Sequence, residues 1–451
     1  MNLLRKFSFP LFCISQRLSL VFSLLIEDNS TKALKRLVPF ISSLVFLTAC
    51  SDFFEPVEST PEPTEYSYNY WLLKQTYLFE DELPQLDENG DSVQELYNKL
   101  SDPFTRYIPP SKSEATITHI NTSIVPGDVG MEYEKFPQKE YPLVIYRVYP
   151  EGPAGRAGIK RYGNIMNANG VDIVGENAFE VYDSILTYSK DISLTVAYTS
   201  DTISYNLTKE DVYAPTIFLD TLNGIPIITI TSFKLNTADQ KNGSFGELKT
   251  YLDSTQNTTE PRLINLRNNP GGHVSHCIAM ADLFIKEGIL STRTSRDLSV
   301  EGKTNYRKNS QKAKAGDSGE KGKFVLLVNK GSASCSEIFA AALQEAANIP
   351  VAGETTYGKG IGQSTWKTMD GGLAIITNWE FLTPKGNSYH KKGVVPDFPC
   401  ESATLSCGIK AIQNYYGTAP LLKSRSGIFD KEPSVLRRYK FEGGSIENSN
   451  F

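Results

Sequence analysis

The stretch GSASCSE, residues 331–337, has the residue types and the position expected of a nucleophile site. It follows KGKFVLLVNK, which predicts a buried strand, and it precedes EIFAAALQEAA, an Ala-rich stretch with strong helix propensity. A serine at such a strand-to-helix junction lies at a helix N-terminus, where unpaired backbone N–H groups stabilise a developing negative charge. One of the three serines, Ser332, Ser334 or Ser336, is therefore a candidate nucleophile.

A serine hydroxyl needs a neighbouring base, and no histidine of this chain lies in a setting typical of a Ser-His pair. The four histidines are His119, His273, His276 and His390. Lys359, in TYGKGIGQ, lies between two glycines, which indicates a tight turn that carries its side chain inward. A lysine buried in an apolar site loses charge stabilisation, so its pKa falls towards neutrality and it can accept the serine proton. Lys359 is thus the candidate base.

The chain resembles the C-terminal processing peptidases, also called tail-specific proteases, in four motifs: LRNNPGG, VLLVNKGSASCSEIFAAALQEA, GETTYGKGIGQ and KKGVVPDF. These peptidases use a serine–lysine pair, and the resemblance implies Ser334 as the nucleophile. It implies Lys359, 25 residues later, as the base. It also implies that Gln363, four residues past the lysine, is the third catalytic residue and orients the lysine. Ser332 and Ser336 are interpreted as capping or packing residues.

Two backbone N–H groups are expected to stabilise the oxyanion. Position +1 after the nucleophile lends its N–H naturally, so Cys335 is one candidate, and its thiol is interpreted as a small core group. By resemblance, the LRNNPGG turn supplies the second N–H, from Gly271 or, as the near alternative, Gly272. His273, His276 and Cys277 have helical spacing, but no second cluster supplies further ligands, so we expect neither a metal nor an organic cofactor.

The strands NGIPIITITSF and PRLINLRNNPGG alternate with helical stretches such as SHCIAMADLFIKEG, which predicts an α/β core. The resemblance implies that this core is crotonase-like, of the ClpP/crotonase type. The stretch VYPEGPAGRAGIKRYGNIMNANGVDI resembles a PDZ domain, which binds a peptide as an added strand and captures its terminal carboxylate. Val129, Gly130 and Met131 are our placement of that carboxylate loop. The alternative is a β-rich spacer without peptide affinity.

The beginning of the chain predicts export. KALKRLVPFISSLVFLTAC combines a basic start with an apolar run that is too short to span a bilayer as a permanent helix. Its end, Leu47 to Cys50, resembles the lipobox of bacterial lipoproteins, which implies that Cys50 is lipidated. The alternative is a secreted protein with an incidental cysteine. We therefore expect a bacterial cell-envelope protein held to a membrane by a lipid anchor.

Composition and patterning predict several domains. With 40% apolar and 22% charged residues the chain is typical of soluble globular proteins, and a net charge of −5 offers no surface for nucleic acid. The predicted divisions are an export segment (1–49), a tether (50–64), an N-terminal helical unit (65–112), a PDZ-like domain (113–205), a peptidase core (206–400) and a C-terminal tail (401–451).

Three further expectations concern the end of the chain. Residues 293–323 are rich in Lys, Gly and Ser and lack periodicity, which predicts a mobile loop beside the site. The tail after residue 400 is predicted to be poorly ordered. Cys400 and Cys407 are close enough in sequence to form a disulfide in an oxidising compartment, although two free thiols are the alternative.

The predicted function is that of a serine endopeptidase, which cleaves unfolded proteins or their free C-terminal tails through an acyl-enzyme. Two alternatives come from other classes. One is a catalytically silent scaffold that binds peptides through the PDZ-like unit and the core. The other is a crotonase-like enzyme that processes acyl-CoA thioesters. The sequence leaves the physiological substrate and the oligomeric state open.

Overall fold

A computed structural model of the chain describes residues 63–87, 89–298 and 304–417. The predicted export segment, Cys50 and most of the tether lie outside the described residues, as does the chain after residue 417. Among the residues that are described, none of the helices has the length and apolar character needed to cross a bilayer.

The N-terminal unit is mainly helical. Its elements are α1 (Glu65–Thr76), a turn of 3-10 helix (Glu80–Glu82), α2 (Val93–Asn98), β1 (Arg106–Ile108) and α3 (Pro110–Asn121). Thr64 caps the N-terminus of α1, and its side chain accepts a hydrogen bond from the Ser67 N–H at 3.1 Å. The apolar face of α1 and α2 packs against Ala374 and Ile376 from the far end of the chain. The unit is therefore part of the same packed structure as the core.

A β-rich unit follows. Its strands are β2 (Ile124–Asp128), β3 (Met131–Lys135), β4 (Leu143–Val148), β5 (Asn164–Ala168), β6 (Val171–Asp172), β7 (Asp191–Ala197), β8 (Thr202–Thr208) and β9 (Glu210–Tyr213), and its helices are α4 (Pro153–Arg156) and α5 (Ala178–Tyr188). Strands β3-β4-β5-β7-β8 form one antiparallel sheet, with β6 beside β5, and β2 pairs with β9. Residue 206, the predicted start of the core, lies inside β8, which pairs along its length with β7.

The described residues after β9 form four helices and, together with β1, two further sheets. The strands are β10 (Ile217–Leu222), β11 (Ile225–Ile230), β12 (Arg262–Asn265), β13 (Ile289–Leu298), β14 (Thr304–Lys312), β15 (Phe324–Val328), β16 (Val351–Gly353), β17 (Ile361–Lys367), β18 (Leu373–Leu382) and β19 (Phe398–Pro399). The helices are α6 (Gly243–Ser254), α7 (Val274–Asp282), α8 (Cys335–Ala346) and α9 (Leu405–Tyr416).

The central sheet has the order β10-β11-β12-β15-β16-β19, and all its pairs except β10–β11 are parallel. Its central strand β15 is apolar throughout because both faces are covered. Leu326 and Val328 of β15 face the layer of α6, α7 and α8, whereas Val325 and Leu327 face α9. The carboxyl ends of β12 and β15 lie side by side, and the PGG turn and the serine run follow these two strands.

A second sheet joins β18 to β1 and β13 on one side and to β17 on the other, with β14 at the outer edge. The prediction of a mobile loop without periodic structure over residues 293–323 is wrong for residues 293–298 and 304–312, because they belong to β13 and β14, which form a long antiparallel ribbon. These strands have polar residues on most positions, so no period-2 apolar pattern marked them in the sequence. Pairing with β18 stabilises β13 instead.

The predicted poor order of the tail is wrong for its first part. Helix α9 buries Leu405, Ile409 and Ile412 against the central sheet, and its amphipathic pattern ends at Gly417, a left-handed C-cap. A disulfide joins Cys400 to Cys407 at the start of this helix, which confirms the expected disulfide and not the alternative of two free thiols. Residues 418–451 lie outside the described part of the chain.

The β-rich unit is fastened to the core by two arginines. The Arg147 guanidinium lies 3.9 Å from the centroid of the Phe218 ring of β10 and forms an ion pair with Glu132 at 3.0 Å. Arg161 pairs with Asp220, also of β10, at 2.6 Å. Arg147 is buried, so its charge needs this compensation.

Candidate active site

Ser334 lies between β15 and α8, with φ 56° and ψ −114°, a conformation that is strained for a residue with a side chain. Hydrogen bonds on both sides of it hold this conformation. The buried Ser332 Oγ donates to the Leu266 carbonyl and the buried Ser336 Oγ to the Asn269 carbonyl, each at 2.8 Å. The flanking serines therefore fasten the nucleophile turn to the loop that follows β12. Ser334 itself is left half-exposed at the N-terminus of α8.

The PGG turn faces this helix N-terminus. A Cβ atom added to Gly271 would lie 2.9 Å from the Cys335 backbone nitrogen and 2.9 Å from Ser334 Cβ. The space beside Gly271 therefore lies directly against residues 333–335. Only glycine, at φ +102°, leaves this space open.

The two glycines differ in what their N–H groups do. The Gly271 N–H donates to Asn269 Oδ1 at 2.9 Å. Gly272 forms a β-bridge with Phe233, in which the Phe233 N–H donates to the Gly271 carbonyl and the His273 N–H donates to the Phe233 carbonyl. The Gly272 carbonyl lies 3.4 Å from the Cys335 sulfur. The hydrogen bonds between described residues include none from the Gly272 N–H or the Cys335 N–H, whereas the Gly271 N–H is engaged, so Gly272 with Cys335 is the pair whose N–H groups remain available to an oxyanion.

The interpretation of the Cys335 thiol as a mere core group is wrong. Its sulfur forms a disulfide with Cys277 of α7, and the two Cα atoms lie 5.6 Å apart. The N-terminal turns of α7 and α8 pack side by side, although 58 residues separate the cysteines in sequence. The bond therefore links the segment after the PGG turn directly to the segment after the nucleophile.

Lys359 lies in the turn before β17, where both neighbouring glycines approach the backbone of residues 390–393 closely. Its Nζ lies 4.0 Å from the centroid of the Phe104 ring. Burial, and after it the Arg106 charge, lower the pKa of Lys359 to about 8, although Asp102 and Glu337 oppose the shift. A substantial fraction of the amine is therefore neutral near physiological pH.

Glu337 joins the serine turn to the lysine turn. Its buried carboxylate accepts the Ser334 N–H at 2.9 Å and the Lys359 N–H at 2.7 Å on the same oxygen, Oε2. The two backbone nitrogens can thus be no farther apart than the sum of these distances. Its Oε1 accepts the Gly358 N–H and the Thr356 hydroxyl, both at 2.6 Å. Burial nonetheless raises the pKa of this carboxyl, against the hydrogen bonds that lower it.

Glu337 is a residue of the candidate site for which the sequence predicted no role. The available signal was its position three residues after Ser334, the spacing at which a glutamate reaches back to the N-cap N–H. This spacing predicts the contact with Ser334 but not the contacts with residues 356–359, which depend on the fold.

Gln363 makes a different contact from the one that its implied role requires. Its Nε2 donates to Thr377 Oγ1 of β18 at 2.9 Å, and the Thr377 N–H donates to Thr105 Oγ1 at 2.9 Å. The hydrogen bonds between described residues include none from Lys359 Nζ to Ser334 Oγ or to Gln363. The geometry therefore brings the three segments together without closing a hydrogen-bonded serine–lysine pair.

The histidines are engaged elsewhere. The His273 ring contacts the Ser275 hydroxyl at 2.9 Å, and His276 Nε2 lies 3.1 Å from the Asn242 carbonyl. Burial lowers the pKa of both, and that of His119 and His390. In the part of the chain that is described, no three His, Cys, Asp or Glu side chains cluster as metal ligands would.

The proposed carboxylate loop leads into β3. Val129 is buried and its carbonyl accepts the Ala154 N–H, while Met131 begins the strand. The Gly130 N–H donates to Asp128 Oδ1 at 2.6 Å, so a carboxylate of the chain itself already occupies one amide of this loop. Strand β3 pairs with β4 only and leaves its other edge without a strand among the described residues.

Comparison with known proteins shows that part of the chain matches a family model. Residues 224–400 match the model of peptidase family S41. The chain is 27% identical over 330 residues to a probable CtpA-like serine protease from Staphylococcus aureus strain N315, a match that covers 73% of this chain and 62% of the relative. A probable CtpA-like serine protease from Staphylococcus haemolyticus is 27% identical over 334 residues, with 73% and 63% covered. The chain thus spans less than two thirds of the length of these curated relatives.

The fold has a solved counterpart. A crystal structure named for an S41 protease from Bacteroides fragilis NCTC 9343 matches with a TM-score of 0.52 and 14% identity, covering 78% of this chain and 97% of that one. At this identity the likeness concerns the fold alone. The mixed α/β architecture described above is therefore similar to that of this crystal structure.

Proposed function

We propose that the chain is a serine endopeptidase of peptidase family S41, whose model residues 224–400 match, and that it uses Ser334 and Lys359. The observation that carries the proposal is the single carboxylate oxygen of Glu337, which holds the backbone of both residues. A base whose pKa lies about 8 is suited to accept a hydroxyl proton at neutral to mildly alkaline pH.

The reaction proceeds through an acyl-enzyme. Neutral Lys359 takes the proton of Ser334, whose oxygen attacks the peptide carbonyl, and the N–H groups of Cys335 and Gly272 bind the oxyanion. Lys359 then gives the proton to the leaving amine. Water hydrolyses the ester, with Lys359 again as the base. Gln363 acts on the lysine once a substrate has brought the two together, because apo geometry is often looser than that of the complex.

The test measures the cleavage of an unstructured peptide with a free C-terminus. Ser334→Ala and Lys359→Ala should each abolish cleavage and leave the unfolding temperature near that of the wild type. Lys367→Ala, at the far end of β17 from Lys359, serves as the matched control and should cleave normally. Wild-type rates in either of the first two variants would refute the assignment. Binding of a CoA thioester, instead of peptide cleavage, would favour an acyl-CoA enzyme.

The β-rich unit we propose to be PDZ-like and to bind the C-terminus of the substrate as a strand along the free edge of β3. Support comes from helix α5 beside this edge: its Tyr182 and Phe179 rings pack 4.9 and 5.7 Å from the ring of Tyr133. The peptide carboxylate would take the Gly130 N–H from Asp128.

Fluorescence anisotropy should report binding of a peptide with a free C-terminus to the Ser334→Ala protein, and weaker binding of the amidated peptide. Gly130→Ala should weaken binding because its Cβ would lie 3.0 Å from Gly152 Cα. Gly158→Ala has a similar φ, +79° against +78°, but nothing within 4 Å, so it controls for backbone strain. Equal affinity for the two peptides would argue for a spacer.

For the core we propose the crotonase-like type, supported by the parallel strands β11-β12-β15-β16-β19 with helices on both faces. For the location we propose a lipoprotein of the bacterial envelope, facing the periplasm or the cell exterior, with Cys50 as the lipidated residue. The Cys400–Cys407 disulfide supports an oxidising compartment. Labelling with a fatty-acid analogue in a bacterial host should depend on Cys50 and be lost in Cys50→Ala; labelling that persists in this variant would refute the anchor.

A further inference from the structure

The amine of Lys359 lies against a segment that is remote from the residues matched by the family. Asp102, Phe104 and Arg106 belong to the link between α2 and α3, whereas the family match begins at residue 224. The Phe104 ring contacts the Lys359 amine, and the Arg106 charge lowers the pKa of Lys359. The link therefore builds one wall of the lysine site.

This segment is held firmly to the core. Strand β1 pairs with β18 in the register Arg106↔Ile375. One residue earlier, Thr105 Oγ1 accepts the Thr377 N–H at 2.9 Å and donates to the buried Asp102 carboxylate at 2.6 Å. Thr377 is also the partner of Gln363. The position of the link is thus fixed relative to the lysine turn by a continuous chain of hydrogen bonds.

Phe104 and Arg106 act on the amine in opposite directions. The face of an aromatic ring attracts an ammonium group, and the Phe104 ring lies 4.0 Å from Nζ. The Arg106 guanidinium, which donates to the Phe104 carbonyl at 3.2 Å, repels it. The other charged groups that act on Lys359 are Asp102, from the same link, and Glu337, from α8, and both favour the ammonium form.

We propose that Phe104 and Arg106 are positioning residues that form a seat for the Lys359 amine, the ring favouring its charged form and the guanidinium its neutral form. The proposal rests on the assignment of Lys359 as the base of the proposed peptidase. The N-terminal unit then adjusts the basicity that burial gives to Lys359. The peptidase core alone does not contain the groups that complete the lysine site.

The test measures the protonation of Lys359 without requiring catalysis. The full chain is acylated with trace acetic anhydride between pH 6 and 11, and the modification of Lys359 is quantified by mass spectrometry against a free-amine standard. The midpoint of this labelling curve is the pH at which Lys359 is half deprotonated. Phe104→Leu should lower this midpoint by about 0.5–1.5 pH units, because the attraction between the ring and the ammonium group is lost. Arg106→Gln should raise it by about half a unit or more, because a like charge has been removed.

Conservative variants separate this role from a structural one. Phe104→Tyr keeps the ring and Arg106→Lys keeps the charge, so both should retain the wild-type midpoint. Phe79→Leu replaces another half-buried phenylalanine of the same unit, which packs on Tyr77 and not on Lys359, and should also leave the midpoint unchanged. The acidic limb of the pH profile of kcat/KM should shift with the labelling midpoint in each active variant.

Two results would overturn the seat. One is a midpoint that stays constant in both Phe104→Leu and Arg106→Gln while activity falls, which would mean that the residues only support the fold. The other is a labelling midpoint that shifts in the same direction in both variants. Failure of the proposed function looks different: the wild-type protein would not cleave peptide, or Ser334→Ala would, whatever the labelling midpoints are.

Discussion

The substitution Gly271→Ala tests the oxyanion site most directly. Its Cβ would lie 2.9 Å from three atoms at once: the Ala333 carbonyl oxygen, the Cys335 nitrogen and Ser334 Cβ. Two of these atoms belong to the backbone of residues 333–335. The methyl group would therefore either fill the space between the PGG turn and Ser334, where we propose that the substrate oxygen binds, or displace these residues. Loss of one oxyanion contact lowers kcat by about 10²–10³-fold in serine peptidases, and we expect kcat/KM to fall by that amount.

Backbone strain has to be separated from this steric effect. Gly271 has φ +102°, where a side chain costs about 1–2 kcal/mol, so the alanine variant will also be less stable. Gly288→Ala is the matched control, because Gly288 has φ +108° and no atom within 4 Å of an added Cβ.

The assay compares peptide cleavage with thermal unfolding for both variants. We expect similar losses of stability and a large loss of kcat/KM in Gly271→Ala alone. Near wild-type cleavage by Gly271→Ala would show that no oxyanion binds between the PGG turn and Cys335. An equal loss of activity in Gly288→Ala would show that strain, and not the blocked space, is responsible.

Three further predictions concern the base, the Glu337 carboxylate and the disulfide. Because Lys359 acts in its neutral form and its pKa is lowered to about 8, kcat/KM should rise about tenfold per pH unit below that value and level off above it in a pH–rate profile. Glu337→Gln replaces an acceptor of four hydrogen bonds by an amide with one acceptor oxygen, so urea unfolding should show a loss of about 1–3 kcal/mol. Its kcat/KM should fall by up to about 10²-fold, because both turns lose their common anchor. Cys277→Ala, which opens a loop of 58 residues, should lower the free energy of unfolding by about 2–4 kcal/mol and reduce kcat/KM through the position of Cys335.

Each of these has a result that would contradict it. A profile that is flat from pH 6 to 9 would exclude Lys359 as the titrating base. Wild-type activity and stability in Glu337→Gln would mean that the shared carboxylate does not hold the site. The Cys400→Ser, Cys407→Ser double variant serves as the disulfide control, since this bond lies at α9, away from the nucleophile, and its loss should leave kcat/KM unchanged.

Local chemistry in the sequence predicted a large part of the candidate site. A β-branched strand, a run of small residues and an Ala-rich helix place Ser334 at a helix N-terminus, because strand and helix propensities act over a few residues. Glycines around Lys359 and in the PGG turn likewise indicated backbone that must approach other backbone closely. These features depend on neighbours in sequence, so the chain order alone reveals them.

Other parts of the site depend on contacts between distant segments. The two turns meet on Glu337, Phe104 reaches Lys359 across more than two hundred residues of chain, and Cys277 bonds to Cys335. Burial of each of these groups is a property of the packed molecule, and no propensity of the individual residue encodes it.

What the sequence determined, then, is which residue types stand at the ends of which strands: a serine after β15, a glycine pair after β12 and a lysine before β17. The tertiary structure decided which of their groups face one another. It engages the Gly271 N–H with Asn269 Oδ1, and it gives β13 a partner in β18 despite its polar pattern. The physical reason is that hydrogen bonds and burial between segments far apart in sequence form only when the chain has packed, and they then override local preference.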